Sequence, residues 1–200
     1  MAYIGLYGVY YAKATMSDGQ VASYGTVANM GKAISASYTP ETGSENNLYA
    51  NNAIAETDAA AAAGGTLSLT LDRLKATAIA DLFGMTKKTA NVTVNSTTVS
   101  GEGFDFTGNE VANTVGVAFI RMKQEDNDRN HHEAIIFGAV TFKYPADDAQ
   151  TLGDSVEWQT PTIEGTITNN TGALPWCKRY EFPSQAAAEA FINAYFANPS

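Results

Sequence analysis

Alternation with a period of two recurs along this chain and leaves little of it for helix. At 66 to 71, TLSLTL puts Leu67, Leu69 and Leu71 on one face and threonine and serine on the other, the pattern of a half-buried strand. Strands are expected on the same grounds at 2 to 12 (AYIGLYGVYYA), 31 to 39 (GKAISASYT), 90 to 99 (ANVTVNSTTV), 115 to 123 (VGVAFIRMK), 134 to 144 (AIIFGAVTFKY) and 154 to 168 (DSVEWQTPTIEGTIT). Ser17-Asp18-Gly19, Gly101-Glu102-Gly103, Thr107-Gly108-Asn109 and EDNDRN at 125 to 130 supply the glycine and short polar residues on which chains reverse.

Two segments have helical character. Leu74, Ala78, Leu82 and Met85 share a face ahead of and around Gly84, a natural C-cap. Near the end, Ser184 can cap a helix over about 184 to 197 whose apolar stripe is Ala188, Phe191, Ile192, Tyr195 and Phe196. The alanine run Ala59, Ala60, Ala61, Ala62 and Ala63 lies between Asp58 and Gly64 and is barely longer than one turn; helices that short are marginal whatever their propensity. The run is expected to be extended or irregular. Between Pro40 and Asp58 the chain is polar and acidic, with Leu48, Tyr49 and Ile54 as its large apolar residues. A loop or long hairpin of that length is uncommon unless it has a task such as binding. The coarse result is a mainly β, antiparallel chain with two short helices, and 200 residues suit one domain.

The formal charge is -9, with 16% charged residues unevenly placed. No lysine or arginine lies between Lys32 and Arg73, where Glu41, Glu45, Glu56, Asp58 and Asp72 fall, or between Lys143 and Lys178, where Asp147, Asp148, Asp154, Glu157 and Glu164 fall. Gripping nucleic acid needs the opposite balance. No run approaches the ~20 apolar residues that cross a bilayer, and the start lacks the pattern of a cleaved leader. The single Cys177 gives no internal disulfide and no zinc spacing, so the cytoplasm is the default compartment.

Chemistry is hard to find. The two histidines, His131 and His132, are adjacent and would occupy an exposed hairpin tip. Asp126, Asp128 and Asn130 begin like a calcium loop, but His131 and Phe137 stand where glycine and glutamate are needed. Gly153-Asp154-Ser155 has no histidine after it to serve as base. Lys178 and Arg179 could lower the pKa of Cys177, yet it has no partner base nearby in sequence. No catalytic, metal or cofactor residues are assigned, and an enzyme is not expected.

MAYIGLYGVYYAK, MGKAISASYTPE, NNLYANNAIAETD, GGTLSLTLDRL, VGVAFIRMKQED and VTFKYPADDAQTLGDSVEWQTPTIEGTI follow one another in this order. Together they resemble the major tail proteins of long-tailed bacteriophages, the tail-tube subunits. The likeness runs from Ala2 to about Ile167 and is one of segments, without a catalytic signature. It implies an antiparallel β-sandwich or partial barrel with a flanking helix and a C-terminal helix, similar to the tubes of contractile tails and type VI secretion. It also implies hexameric rings, stacked into a hollow conduit that passes phage DNA without binding it. Sheet edges would be paired by neighbouring copies. The partners implied are further copies of the chain and tape-measure, terminator and initiator proteins. The location implied is the virion tail, assembled in the bacterial cytoplasm, with no membrane.

Under this resemblance Asp147, Asp148, Asp154 and Glu157 are candidates for the lumen lining, where carboxylates repel phosphate. The segment at about 40 to 58 becomes an arm to another subunit or ring, carrying Glu41, Glu45, Leu48, Tyr49, Ile54, Glu56 and Asp58. Ala59 to Ala63 become a close-packed contact with a neighbouring copy. The alternative of another class is a monomeric or dimeric β-sandwich that holds carbohydrate on some of its 10 tyrosines.

Overall fold

A computed structural model describes residues 2–42, 46–50, 52–58, 62–125, 128–146, 151, 160–172 and 174–199. In chain order the elements are β1 (Ala2–Ser17), β2 (Gln20–Tyr24), β3 (Ala28–Gly31), β4 (Ala33–Thr42), β5 (Asn46–Ala50), β6 (Ala53–Asp58) and β7 (Ala62–Leu71). They continue with α1 (Ala76–Phe83), β8 (Lys87–Val94), β9 (Thr97–Phe104), β10 (Thr114–Glu125), β11 (Asp128–Phe142), β12 (Thr162–Ile167), β13 (Cys177–Phe182) and α2 (Gln185–Ala197). The fold is mainly β, with antiparallel sheets and two helices.

The main sheet has nine strands in the order β2-β1-β10-β11-β12-β7-β4, with β3 beside β1 and β13 beside β11. Strand β11 divides it: residues 132 to 137 pair with β13, whereas 140 to 142 pair with β12. Beyond that branch the sheet curls so that β4 comes back against β1, giving a partial barrel.

Its interior is the larger core. Leu67, Leu69 and Leu71 of β7 are fully buried there, facing Val9 and Tyr11, Val115, Val117 and Phe119, and Phe137 and Phe142, with Ile163 and Ile167 completing the wall. The alternating leucines therefore behave as their spacing requires. Helix α1 closes this core with Ala78, Leu82 and Phe83 and ends on Gly84 in the left-handed region, at φ 66°. Ser184 caps α2 by accepting a hydrogen bond from the Ala187 amide at 3.2 Å. Ala188, Ile192, Tyr195 and Phe196 of α2 then cover the outer face of β1, β10 and β11 at Ala12, Ala118, Ile120, Ala134 and Ile136. Gly116 makes that docking possible, because a Cβ there would collide with the Phe196 ring.

Several elements depart from the alternation-based expectation. The expected strand at 90 to 99 is a hairpin, reversing at Asn95 and Ser96, whose φ values of 48° and 65° make the two-residue turn that hairpin twist favours. Gly101-Glu102-Gly103 is therefore no turn but part of β9. His131 and His132 are not at a tip. They lie within β11, where neighbours point to opposite faces. The segment 31 to 39 is split at Lys32 into β3 and β4. In the region 154 to 168, β12 takes Thr162–Ile167, and 154 to 159 lie outside the described residues. Strands β2 and β13 escaped the pattern altogether.

Candidate assembly surface

Two hairpins stand apart from the main sheet. In the first, β4 and β7 pair out to Thr42 and Ala62, and pairing resumes between Asn46 and Asp58 in the separate β5-β6 sheet, with Ala50 opposite Ala53. The acidic segment is thus a long hairpin. Glu41, at the outer end of β4, and Ile54 and Glu56, on β6, are exposed. Leu48, Tyr49 and Asp58 lie in its strands, and Glu45 lies outside the described residues. Of the alanine run, Ala62 and Ala63 open β7 in extended conformation, and Ala59, Ala60 and Ala61 lie outside the described residues. Close packing is visible at the glycines that follow. A Cβ on Gly64 would strike the Ile167 carbonyl, and one on Gly65 the Thr39 carbonyl, so the neighbours there are strands of the same chain.

The second hairpin, β8-β9, forms its own two-stranded sheet, and every residue of it is exposed except Phe104 at its base. Val92 and Val99 pair across it and are 57% and 50% exposed, with Val94 beside them. An isolated two-stranded hairpin is marginal in water, so this one is rooted by Met85 and Phe104, which pack on the main core.

The third feature is the free end of the main sheet, where β1, β10, β11 and β13 run side by side. Among the described residues, the outer edge of β1 over 2 to 7 and that of β13 have no strand partner. On the face away from α2, the apolar row Phe119 and Ile135 gives way to ions. Glu133, 7% exposed, accepts from Arg121 Nη2 at 2.7 Å and from Arg179 Nε at 3.2 Å. Lys123 Nζ lies 2.6 Å from Glu181 and 3.8 Å from Glu133, and His131 Nδ1 is 2.7 Å from Glu181. Arg121 also stacks over the Tyr3 ring at 4.0 Å, so the network ties all four strands together.

The titrations follow from this geometry. Burial pushes the Glu133 carboxyl up, but the hydrogen bonds from Arg121 and Arg179 outweigh it and hold it below the usual range. The Lys123 hydrogen bond lowers Glu181, and the same bond raises Lys123. Cys177 is raised by burial, against which Arg179 is the weaker influence, so it packs as a core thiol and is not activated.

Among the described residues, no group of three His, Cys, Asp or Glu side chains is placed to hold a metal ion. Among the same residues, no helix is long and apolar enough to cross a membrane. The most exposed tyrosines among the described residues are each engaged separately: Tyr3 under Arg121, Tyr180 against Phe191, and Tyr144 between Phe83 and Phe106. These three rings share no common neighbour. The lumen candidates Asp147, Asp148, Asp154 and Glu157 lie outside the described residues, and Glu164 is exposed on β12. Sequence reasoning missed Arg121, Lys123, Glu133, Arg179 and Glu181. The signal available was charge at alternate positions, Arg121 and Lys123 in β10 and Arg179 and Glu181 in β13. No family model matches this chain, and no curated protein is significantly similar to it in sequence.

Proposed function

We propose that the chain is a structural subunit that assembles with copies of itself, the tube protein of a long-tailed phage tail. The observation that supports this best is the four-stranded end of the main sheet with both outer edges open, β1 on one side and β13 on the other. An unpaired edge on a lone subunit invites aggregation. Two different edges at opposite sides of one sheet can instead pair head to tail between copies, and such a contact closes into a ring when the rotation allows.

Six copies with four strands each would bring 24 strands together, and at ~4.8 Å per strand that is a circumference of ~115 Å and a backbone diameter of ~37 Å. After side chains, this leaves room for a DNA duplex roughly 20 Å across. A net charge of -9 keeps such a conduit from holding its cargo. The long β4-β7 and β5-β6 hairpin then serves as the arm between subunits or rings. Nothing in this role requires catalysis, a cofactor or a membrane.

Electron microscopy of the purified full chain at rising concentration tests the reading, with rings or tubes of uniform bore as the expected result. Deleting residues 42 to 55 should leave a folded monomer that forms no tubes. A chain that stays monomeric at every concentration and binds a glycan would favour the sugar-binding alternative.

A further inference from the structure

A cavity of about 480 Å³ opens where β7 gives way to α1, beside the end of β11 and the start of β12. Its walls are fixed by the fold itself. The Leu71 amide donates to the Pro161 carbonyl at 3.0 Å and the Asp72 amide to the Lys32 carbonyl at 2.9 Å. Asp72 Oδ1 in turn accepts from the Lys32 and Arg73 amides, each at 2.8 Å. A Cβ on Gly31 would collide with the Arg73 carbonyl, so the β3 end packs tightly behind this loop. Leu74 and Ile79 rest on the larger core, and Tyr144 is clamped between Phe83 and Phe106 with ring centroids 4.9 and 5.1 Å away. Pro145 and Pro161 complete the apolar lining. A concavity of this size, mostly apolar and already ordered, suits a small ligand or one anchoring side chain.

The polar groups of the lining are donors in want of an acceptor. Among the described residues, the Arg73 guanidinium is exposed and makes no hydrogen bond or ion pair, and the Tyr144 hydroxyl donates to nothing. Arg121 and Arg179, by contrast, both hold Glu133. Asp72 also lines the cavity, but hydrogen bonds from the Lys32 and Arg73 amides, together with the charges of both side chains, hold its carboxyl below the usual range. With Asp72 ionised, Arg73 and Lys32 leave a balance of one positive charge at this corner.

We infer that the cavity binds an apolar carboxylate, an acid group carried on an aromatic or branched aliphatic body, with the acid paired to Arg73 and the body against Leu74, Ile79 and Tyr144. The inference goes beyond self-assembly and does not depend on it. A guanidinium takes a carboxylate through two parallel hydrogen bonds, and the single surplus charge matches a monoanion. A phosphate fits less well, because Pro145 and Pro161 have no N–H to offer it and its second charge would face Asp72. A cation would meet Arg73 and Lys32 while Asp72 is already engaged. The same chemistry is found on a free small acid and at the C-terminus of a peptide that ends in an apolar residue.

The test titrates the full-length chain into 3-(4-fluorophenyl)propionate and follows the fluorine line by NMR, a readout that works for single subunits and assemblies alike. The expected Kd is on the order of 1 mM, ordinary for about a dozen heavy atoms. The matching amide and amine should bind at least tenfold more weakly, and Arg73→Gln should weaken the acid by about tenfold while leaving the amide unchanged. Arg73→Lys, which keeps the charge without the fork, should fall between. Competition by acetyl-diglycyl-phenylalanine more effective than that of unlabelled 3-phenylpropionate assigns the site to a peptide terminus, and the reverse order assigns it to a free acid. No binding of the acid, equal binding of acid and amide, or an Arg73→Gln chain that binds the acid as wild type does would overturn the inference. Because none of these outcomes requires rings, failure here leaves the tube reading standing, and absence of rings leaves this site standing.

Discussion

Replacing Glu133 by glutamine tests whether the ionic end of the sheet is a structural device. The carboxylate is 7% exposed and neutralises Arg121 and Arg179, with Lys123 near by. Glutamine keeps the shape and removes the charge beside Arg121, whose Nη2 donates to Glu133 and whose Nε is already buried without a hydrogen-bond partner. Removing one member of a fully buried pair costs ~3–5 kcal/mol. The partner side chains here are 26%, 12% and 51% exposed and Lys123 keeps Glu181, so water recovers part of that and ~2 kcal/mol is expected.

Urea unfolding of the monomer with an m-value of ~2 kcal/mol/M then shows the midpoint falling by ~1 M at pH 7, with m unchanged. Because Glu133 is lowered from 4.5 in the folded state, its contribution is complete above that pH and is lost as pH falls through the folded value. Wild type and Glu133→Gln should therefore converge in acid. A midpoint shift below ~0.2 M at pH 7, or an equal shift at pH 7 and in strong acid, would refute the reasoning.

Three further outcomes are expected. Ser184→Ala removes the cap of α2 and should cost ~1 kcal/mol of stability in the same urea experiment. Ser96→Gly relieves a non-glycine residue at φ 65° and should slow amide exchange across Val92 and Val99 severalfold, for a gain of ~1 kcal/mol in the hairpin. Gly116→Ala drives a methyl into Phe196 and Tyr24, and should lower stability by ~1–3 kcal/mol and loosen α2, seen as lost protection of its amides.

The parts of the fold legible in sequence are those where one periodicity acted alone. Leu67, Leu69 and Leu71 alternate because one side of β7 faces the core and the other faces water, and Ser184 with the stripe through Phe196 fixed α2. The 90 to 99 segment misled because threonine and valine continue through the reversal, and only Asn95 and Ser96 mark it. Strand β13 was hidden for another reason. Its residues alternate between the helix side, at Tyr180 and Phe182, and the ion network, at Arg179 and Glu181, so neither face looks like a core. The network itself unites residues as far apart as Tyr3 and Glu181 through the register of four strands. No local pattern records that register. The acidic segment was legible as a long hairpin because polar and acidic residues outnumber its few large apolar ones.

On the proposed function, copies of this chain complete one another's sheets. A cryo-EM map of the assembled protein, at a resolution that traces strands, tests it most directly. Residues 2 to 7 of one copy are expected to be hydrogen-bonded to β13 of the next around a closed ring. A ring in which both edges face solvent, or a particle that is a monomer at every concentration imaged, would contradict it.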